Sequence, residues 1–152
     1  MSKYYKNKFR IDWVSRNHLA IGTAPKTLEN LEKIKKEGIG SILTLCSEKE
    51  CKLPEEINLL FNHSRMYLPD HKAERAMEIK ELKKALDELN KLLKVTPVFI
   101  HCVAAMERSP LVCIAWLVKY KNLSFNSALD YMMQAHPGTN PLAKQLNLIN
   151  DL

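Results

Sequence analysis

No stretch of the chain approaches the roughly 18 consecutive apolar residues that a membrane-crossing helix needs, so no membrane association is expected. Behind the charged start Met1-Ser2-Lys3-Tyr4-Tyr5-Lys6-Asn7-Lys8 there is no apolar segment either, which argues against a secretory leader and for a cytoplasmic protein. Cysteine is scarce: four scattered residues read as reduced thiols rather than as a disulfide framework. Aromatic residues make up only 7% and do not interleave with a basic stripe, so a nucleic-acid platform is set aside. No change of composition marks a second domain, and 152 residues suit one compact unit spanning 1–152 that buries roughly two thirds of its unfolded surface. The net charge of +6 suits an acidic partner without identifying one. Lys33, Lys35, Lys36, Lys80, Lys83, Lys84, Lys91 and Lys94 stand in helical patterns beside glutamates, as on solvated helix faces.

What is present alternates between strand and helix. Phe9–Val14 and His18–Gly22 read as a hairpin-like pair turning at Arg16-Asn17. Thr27 caps a helix with Leu28, Leu31 and Ile34 at helical spacing, which Gly38 stops. Ile39–Cys46 reads as a strand whose dense Ile42-Leu43-Thr44-Leu45-Cys46 core suggests burial on both faces, as a parallel sheet requires. After a loop over Ser47–Lys52, a short helix is expected at Glu55–Phe61 and a strand at Ser64–Leu68. A long amphipathic helix from Glu74 to Lys94 carries Ile79, Leu82, Leu86, Leu89 and Leu93 on one side. Pro97 opens another strand, Leu111–Lys121 reads as a buried central helix, Ser124 caps the next, and Asn140-Pro141 starts the last. The pattern predicts an α/β fold: a central, mostly parallel sheet of four to five strands flanked by helices.

The most informative stretch is Phe99-Ile100-His101-Cys102-Val103-Ala104-Ala105-Met106-Glu107-Arg108-Ser109-Pro110, an apolar strand that empties into a cysteine loop and a new helix. A strand ending at a helix start leaves backbone N–H groups facing a concavity, and together with the helix dipole they attract an anion. Val103, Ala104, Ala105, Met106, Glu107 and Arg108 are placed to line such a phosphate-binding loop. The same field favours the thiolate of Cys102, the nucleophilic form. Arg108 offers a planar fork matched to two phosphate oxygens. The Ser109 hydroxyl is placed to bond the sulfur and ease its departure from a cysteinyl-phosphate, and Pro110 suits the first helical turn, where a missing N–H costs nothing. With four cysteines and five arginines in the chain, the Cys-x5-Arg spacing alone is weak evidence; the strand before it, the His101 neighbour and the Ser-Pro after it carry the weight.

This His-Cys-x5-Arg-Ser run resembles the signature of the cysteine-dependent protein tyrosine phosphatases, and the short length places the chain nearest their compact dual-specificity subgroup. The resemblance implies an α/β phosphatase domain without metal or organic cofactor, expected to be monomeric. It would act on phosphotyrosine, with phosphoserine and phosphothreonine open, in a phosphorylated protein or a small phosphomonoester. It also implies an aspartate general acid upstream. Asp70, in Tyr67-Leu68-Pro69-Asp70 and 32 residues before Cys102, is the candidate, although Pro-Asp equally describes a turn before a helix. Relatives commonly carry glycine where this chain has Ala105, so the methyl group is expected to narrow the cradle or slow turnover. A phosphate-binding protein without turnover, and a Cys-x5-Arg sulfurtransferase or arsenate reductase, stay open as alternatives.

The loop carries no lysine, unlike relatives acting on highly charged inositol phosphates, and Glu107 either faces the pocket and repels extra phosphate or points back to pair with a base. A singly phosphorylated group fits better. His101 reads as orienting the loop. Cys46 or Cys51 is a candidate disulfide partner for Cys102, or plain structure, and Cys113 a small core residue. His71 either adjusts Asp70 or faces solvent; His136 and Asn140 border the active site in relatives, though helix termination accounts for both.

Overall fold

The structure, a computed structural model, describes residues 8–152; Met1 to Asn7 of the charged start lie outside the described residues. Strands β1 (Ile11–Ser15) and β2 (Leu19–Gly22) pair antiparallel across the turn at Arg16–Asn17, where Asn17 takes the left-handed φ of 58° that asparagine tolerates. Gly22 ends β2 because a Cβ there would lie 1.9 Å from the carbonyl oxygen of Arg10. Helix α1 (Leu28–Lys36) is capped by Thr27, whose hydroxyl accepts from the Asn30 N–H at 3.1 Å, and it buries Leu31 and Ile34. Then come β3 (Ser41–Thr44), the single turn α2 (Ile57–Leu60), β4 (Asn62–Arg65), α3 (Ile79–Leu93), β5 (Val98–His101), α4 (Arg108–Tyr120), α5 (Phe125–Ala135), α6 (Ala143–Asn147) and a final 3-10 turn, Leu148–Asp151.

The strands lie in the order β1-β2-β5-β3-β4, and every pairing but β1 with β2 is parallel. That is the five-stranded, mostly parallel sheet expected. β5 is central: Ile100 sits opposite Ile21 on one side and Leu43 on the other. Its side chains alternate between faces, as a period of two demands. Val98, Ile100 and Cys102 join the core beneath α3, α4 and α5, whereas Phe99 packs with Leu31, Ile34 and Ile42 on the opposite face. Helix α4 is buried from Arg108 to Leu117, so the element that ends the cysteine loop is fixed by apolar contacts, each large side chain contributing about 1.5–3 kcal/mol. The loop thus hangs between two rigid supports at the carboxyl end of the central strand, where open α/β sheets bind ligands. Among the described residues no helix is long and apolar enough to cross a membrane.

Several boundaries differ from expectation. The strand expected at Ser64–Leu68 lies at Asn62–Arg65, because the ladder with β3 begins at Asn62 opposite Ser41 on the sheet edge, where polar side chains hide the pattern. Leu68 is fully buried beyond the strand. α3 starts at Ile79 rather than Glu74: the Glu81 carboxylate reaches back to accept from the Glu78 N–H at 3.0 Å, and Arg75 forks Glu81 at 2.7 and 2.8 Å. α4 begins three residues before Leu111, at Arg108, and the last helix begins at Ala143, after Pro141.

Candidate active site

The cysteine loop is shaped from outside by its carbonyl groups. The Val103 oxygen accepts from the Ala24 N–H at 3.1 Å, the Met106 oxygen from the Asn140 N–H at 2.7 Å, the Ala105 oxygen from His136 Nε2 at 2.6 Å, and the Cys102 oxygen from His101 Nδ1 at 2.7 Å. Each peptide bond is trans, so its N–H points opposite to its C=O. Holding these four carbonyls outward aims the N–H groups of Val103, Ala104, Met106 and Glu107 inward, an arrangement suited to an anion. Behind His136, Asp12 Oδ2 lies 2.6 Å from Nδ1, so both ring nitrogens face acceptors.

Cys102 lies on the floor of a cleft of about 760 Å3, lined also by Glu50, Asp70, Lys72, Met106, Arg108 and Leu142. Its Sγ is 3.2 Å from Ser109 Oγ, as expected. The Arg108 guanidinium is almost fully buried and already half engaged. Nη1 donates to Glu50 Oε2 at 3.1 Å and to the Leu68 carbonyl at 3.0 Å, and Nη2 is 2.9 Å from Glu50 Oε1. Of five N–H donors this leaves Nε–H and one Nη2–H, a second fork on the other edge of the group and open to an oxyanion. Burial raises the Glu50 carboxyl, but its bonds to Arg108 and the Ser47 N–H outweigh that and hold it below the usual carboxylate range.

Asp70 comes to the same cleft. Its Oδ2 lies 3.9 Å from Arg108 Nη2, while Oδ1 accepts from the Lys72 N–H at 3.0 Å. The turn is therefore real, and it presents the carboxyl to the site. Glu107 resolves the two readings given above: its Oε2 accepts from His71 Nδ1 at 2.7 Å and its Oε1 from Gln145 Nε2 at 2.6 Å. The carboxylate is spent on tying the segment after Asp70 to the cysteine loop and to α6.

His101 is fully buried and burial, only partly offset by its bond to the Cys102 carbonyl, lowers its pKa to about 4. It is neutral at pH 7 and acts by position. All four cysteines are free. Burial pushes the Cys46 thiol up to about 12 and raises those of Cys51 and Cys113, so none of the three offers a ready thiolate. Cys46 and Cys51 pack with Ala24 and Val103 beneath the loop.

Ala105 takes a φ of 56°, the left-handed conformation for which glycine is the usual choice. Its side chain is 1% exposed and is not among those lining the cleft, so the methyl group turns inward and does not narrow the cradle. Ala105→Gly relieves about 1–2 kcal/mol of backbone cost but loses a buried methyl worth about 0.8 kcal/mol and adds chain entropy of similar size. Urea unfolding is expected to shift by less than about 1 kcal/mol, with phosphate affinity unchanged; a loss of affinity would show that the methyl shapes the nest.

Sequence reasoning missed Glu50 and Ala24 and left His136 and Asn140 undecided. Ala24 and Asn140 act through backbone N–H groups that carry no side-chain signature, and Glu50 stands in a loop of alternating charge.

Residues 20–151 match the family described as Dual specificity phosphatase, catalytic domain. Phosphatidylglycerophosphate phosphatase PTPMT2 of Arabidopsis thaliana is 24% identical over 122 residues, covering 79% of this chain and 53% of that protein, so the chain spans about half the relative's length. Among solved structures, Tk-PTP in the active form superposes with a TM-score of 0.79 at 19% identity, over 93% of this chain and 95% of the other. PTPMT1 in complex with PI(5)P gives 0.79 at 17% identity, over 93% and 92%. With the match running from β2 through the cysteine loop to the last turn, the chain belongs to the dual specificity phosphatase catalytic-domain family.

Proposed function

We propose that the chain hydrolyses single phosphate monoesters through a phosphate ester of Cys102. The observation that carries this reading is the set of four outward-held loop carbonyls, which aims four N–H donors into the space above Sγ beside the free fork of Arg108. The Cys102 thiolate attacks phosphorus, the ester P–O bond breaks, and Asp70 gives its proton to the leaving oxygen. Water then attacks phosphorus, Asp70 takes a proton from it, the P–S bond breaks, and the thiolate returns with the Ser109 hydroxyl donating to it. Arg108 and the loop N–H groups stabilise charge on the three other phosphate oxygens in both transfers.

The loop brings no lysine to neutralise further phosphates, so one phosphate is favoured over several. Val103, Met106 and Leu142 give the cleft apolar surface suited to the ring of phosphotyrosine, the leading substrate, with phosphoserine and phosphothreonine behind it. The PTPMT2 and PTPMT1 likenesses add a lipid phosphomonoester to the panel. No observation favours a sulfurtransferase or arsenate reductase.

The test is hydrolysis of a small aryl phosphate by reduced protein, followed by rapid acid quench. Turnover inhibited by vanadate, with label trapped on the peptide holding Cys102, is the expected result. Phosphate binding without turnover above a Cys102→Ser control overturns hydrolysis and leaves a binding protein. Phosphotyrosine peptide, phosphoserine peptide and phosphatidylglycerophosphate vesicles then rank the substrates.

A further inference from the structure

The sheet register puts Thr44, His63, Arg65 and His101 on one face. Thr44 is opposite His101 on β5 and Arg65 on β4, and His63 lies two residues before Arg65. The hydroxyl of Thr44 bridges the two imidazoles, 2.7 Å from His101 Nε2 and 2.8 Å from His63 Nε2. His63 Nδ1 is 3.0 Å from Oδ1 of exposed Asn58. One anchor fixes every proton in this chain of contacts. The Cys102 carbonyl only accepts, so His101 Nδ1 carries the hydrogen. A neutral His101 then has a bare Nε2, which takes the Thr44 proton. The Thr44 oxygen must in turn receive a proton from His63 Nε2, which leaves Nδ1 bare; the exposed Asn58 amide then turns over, bringing its NH2 in place of Oδ1 to Nδ1.

We propose that His63 is a positioning residue for the nucleophile, holding His101 through Thr44 in the Nδ1–H tautomer so that a one-way series of donors ends on the Cys102 carbonyl. The proposal rests on Cys102 being the nucleophile described above. Each donor in the series points its positive end toward Cys102, and bonds linked in this way polarise one another in a buried site. The thiolate is the form that gains. Burial, with the Arg65 charge second, lowers the His63 pKa to about 4, so both rings stay neutral at working pH and the order of protons is stable. The cations facing the pair are Arg65 from β4 and Arg108 from the start of α4; both oppose protonation of the rings.

Two measurements test this. Ring nitrogen-15 spectra of the unsubstituted protein at pH 7 are expected to show His101 protonated at Nδ1 and His63 at Nε2; either opposite tautomer overturns the proposal. The pH dependence of Cys102 alkylation by iodoacetamide needs no turnover and so reads the thiol even where hydrolysis fails. His63→Phe, which keeps a ring and loses the donor, is expected to move the acid limb of alkylation and of kcat/KM upward by about half to one pH unit, a roughly three- to tenfold slowing on that limb. KM is expected to stay within about twofold. His63→Gln restores an N–H to Thr44 and is expected to return both profiles toward the parent. A folded His63→Phe chain that titrates like the parent, or a Gln variant as shifted as the Phe variant, overturns the assignment; Thr44→Val breaks the same series and decides if His63→Phe does not fold.

Discussion

Cys102→Ser is expected to lower aryl phosphate turnover by at least about four orders of magnitude while phosphate binding persists or tightens. The substitution exchanges one atom at the floor of the cleft, 3.2 Å from Ser109 Oγ, and leaves the outward-held carbonyls and the Arg108 fork in place. A serine hydroxyl stays protonated near neutral pH, and no basic side chain among its hydrogen-bond partners is placed to take the proton, so the attacking anion is lost. Binding follows different physics. A thiolate and a phosphate dianion repel by about 4 kcal/mol per charge pair at 4 Å in a medium of intermediate dielectric, and the neutral hydroxyl removes that repulsion. Turnover by initial rates and phosphate affinity by calorimetry separate the two effects. Residual turnover within about a hundredfold of the parent would mean that another group attacks phosphorus.

The contrast between what the chain announces and what it conceals follows from where the information lies. The cysteine loop, its strand and α4 are legible because each rests on side-chain type at short range: apolar residues alternating along β5, the Cys-x5-Arg-Ser-Pro spacing, and a helix apolar on nearly every side. Thr27, Ser124 and the Asn17 turn are legible for the same reason, since capping and turn chemistry are local. The grip on the loop was not. Besides the His101 and His136 side chains it comes from Ala24 and Asn140, 79 and 34 residues from their partners Val103 and Met106, through backbone groups that any residue but proline would supply. Nor did the sequence mark Glu50, which reaches Arg108 across 58 residues only because the turn after β3 closes on the Ser47 N–H. Ala105 stands between these cases. Its left-handed φ agrees with the glycine expected there, but only its burial shows that the methyl group spares the cleft.

Asp70→Asn is expected to cost about 10²–10⁴ in kcat for an alkyl phosphate and much less for an aryl phosphate with an acidic phenol, because a good leaving group departs without help from a proton. The substitution preserves shape: an asparagine Oδ1 still accepts the Lys72 N–H that now holds the turn at 3.0 Å. What disappears is the carboxyl's capacity to give and take a proton, on a group whose Oδ2 lies 3.9 Å from Arg108 Nη2. In the first transfer Asp70 must be protonated, so the parent's kcat falls as pH rises and that proton is lost. The asparagine variant has no proton to lose, and its basic limb is expected to be flat. The acid limb, which follows the Cys102 thiolate and the substrate, is expected to stay. Rates for the two leaving groups, read across pH with parent and variant side by side, make the assignment decisive: equal losses for both substrates with an unchanged basic limb would move the acid role away from Asp70 and reduce it to a turn residue. Because the same carboxylate is asked to accept a proton from water in the second transfer, the variant should also hold more protein as the Cys102 phosphate ester during turnover of the aryl substrate, a quantity the acid-quench assay reads directly.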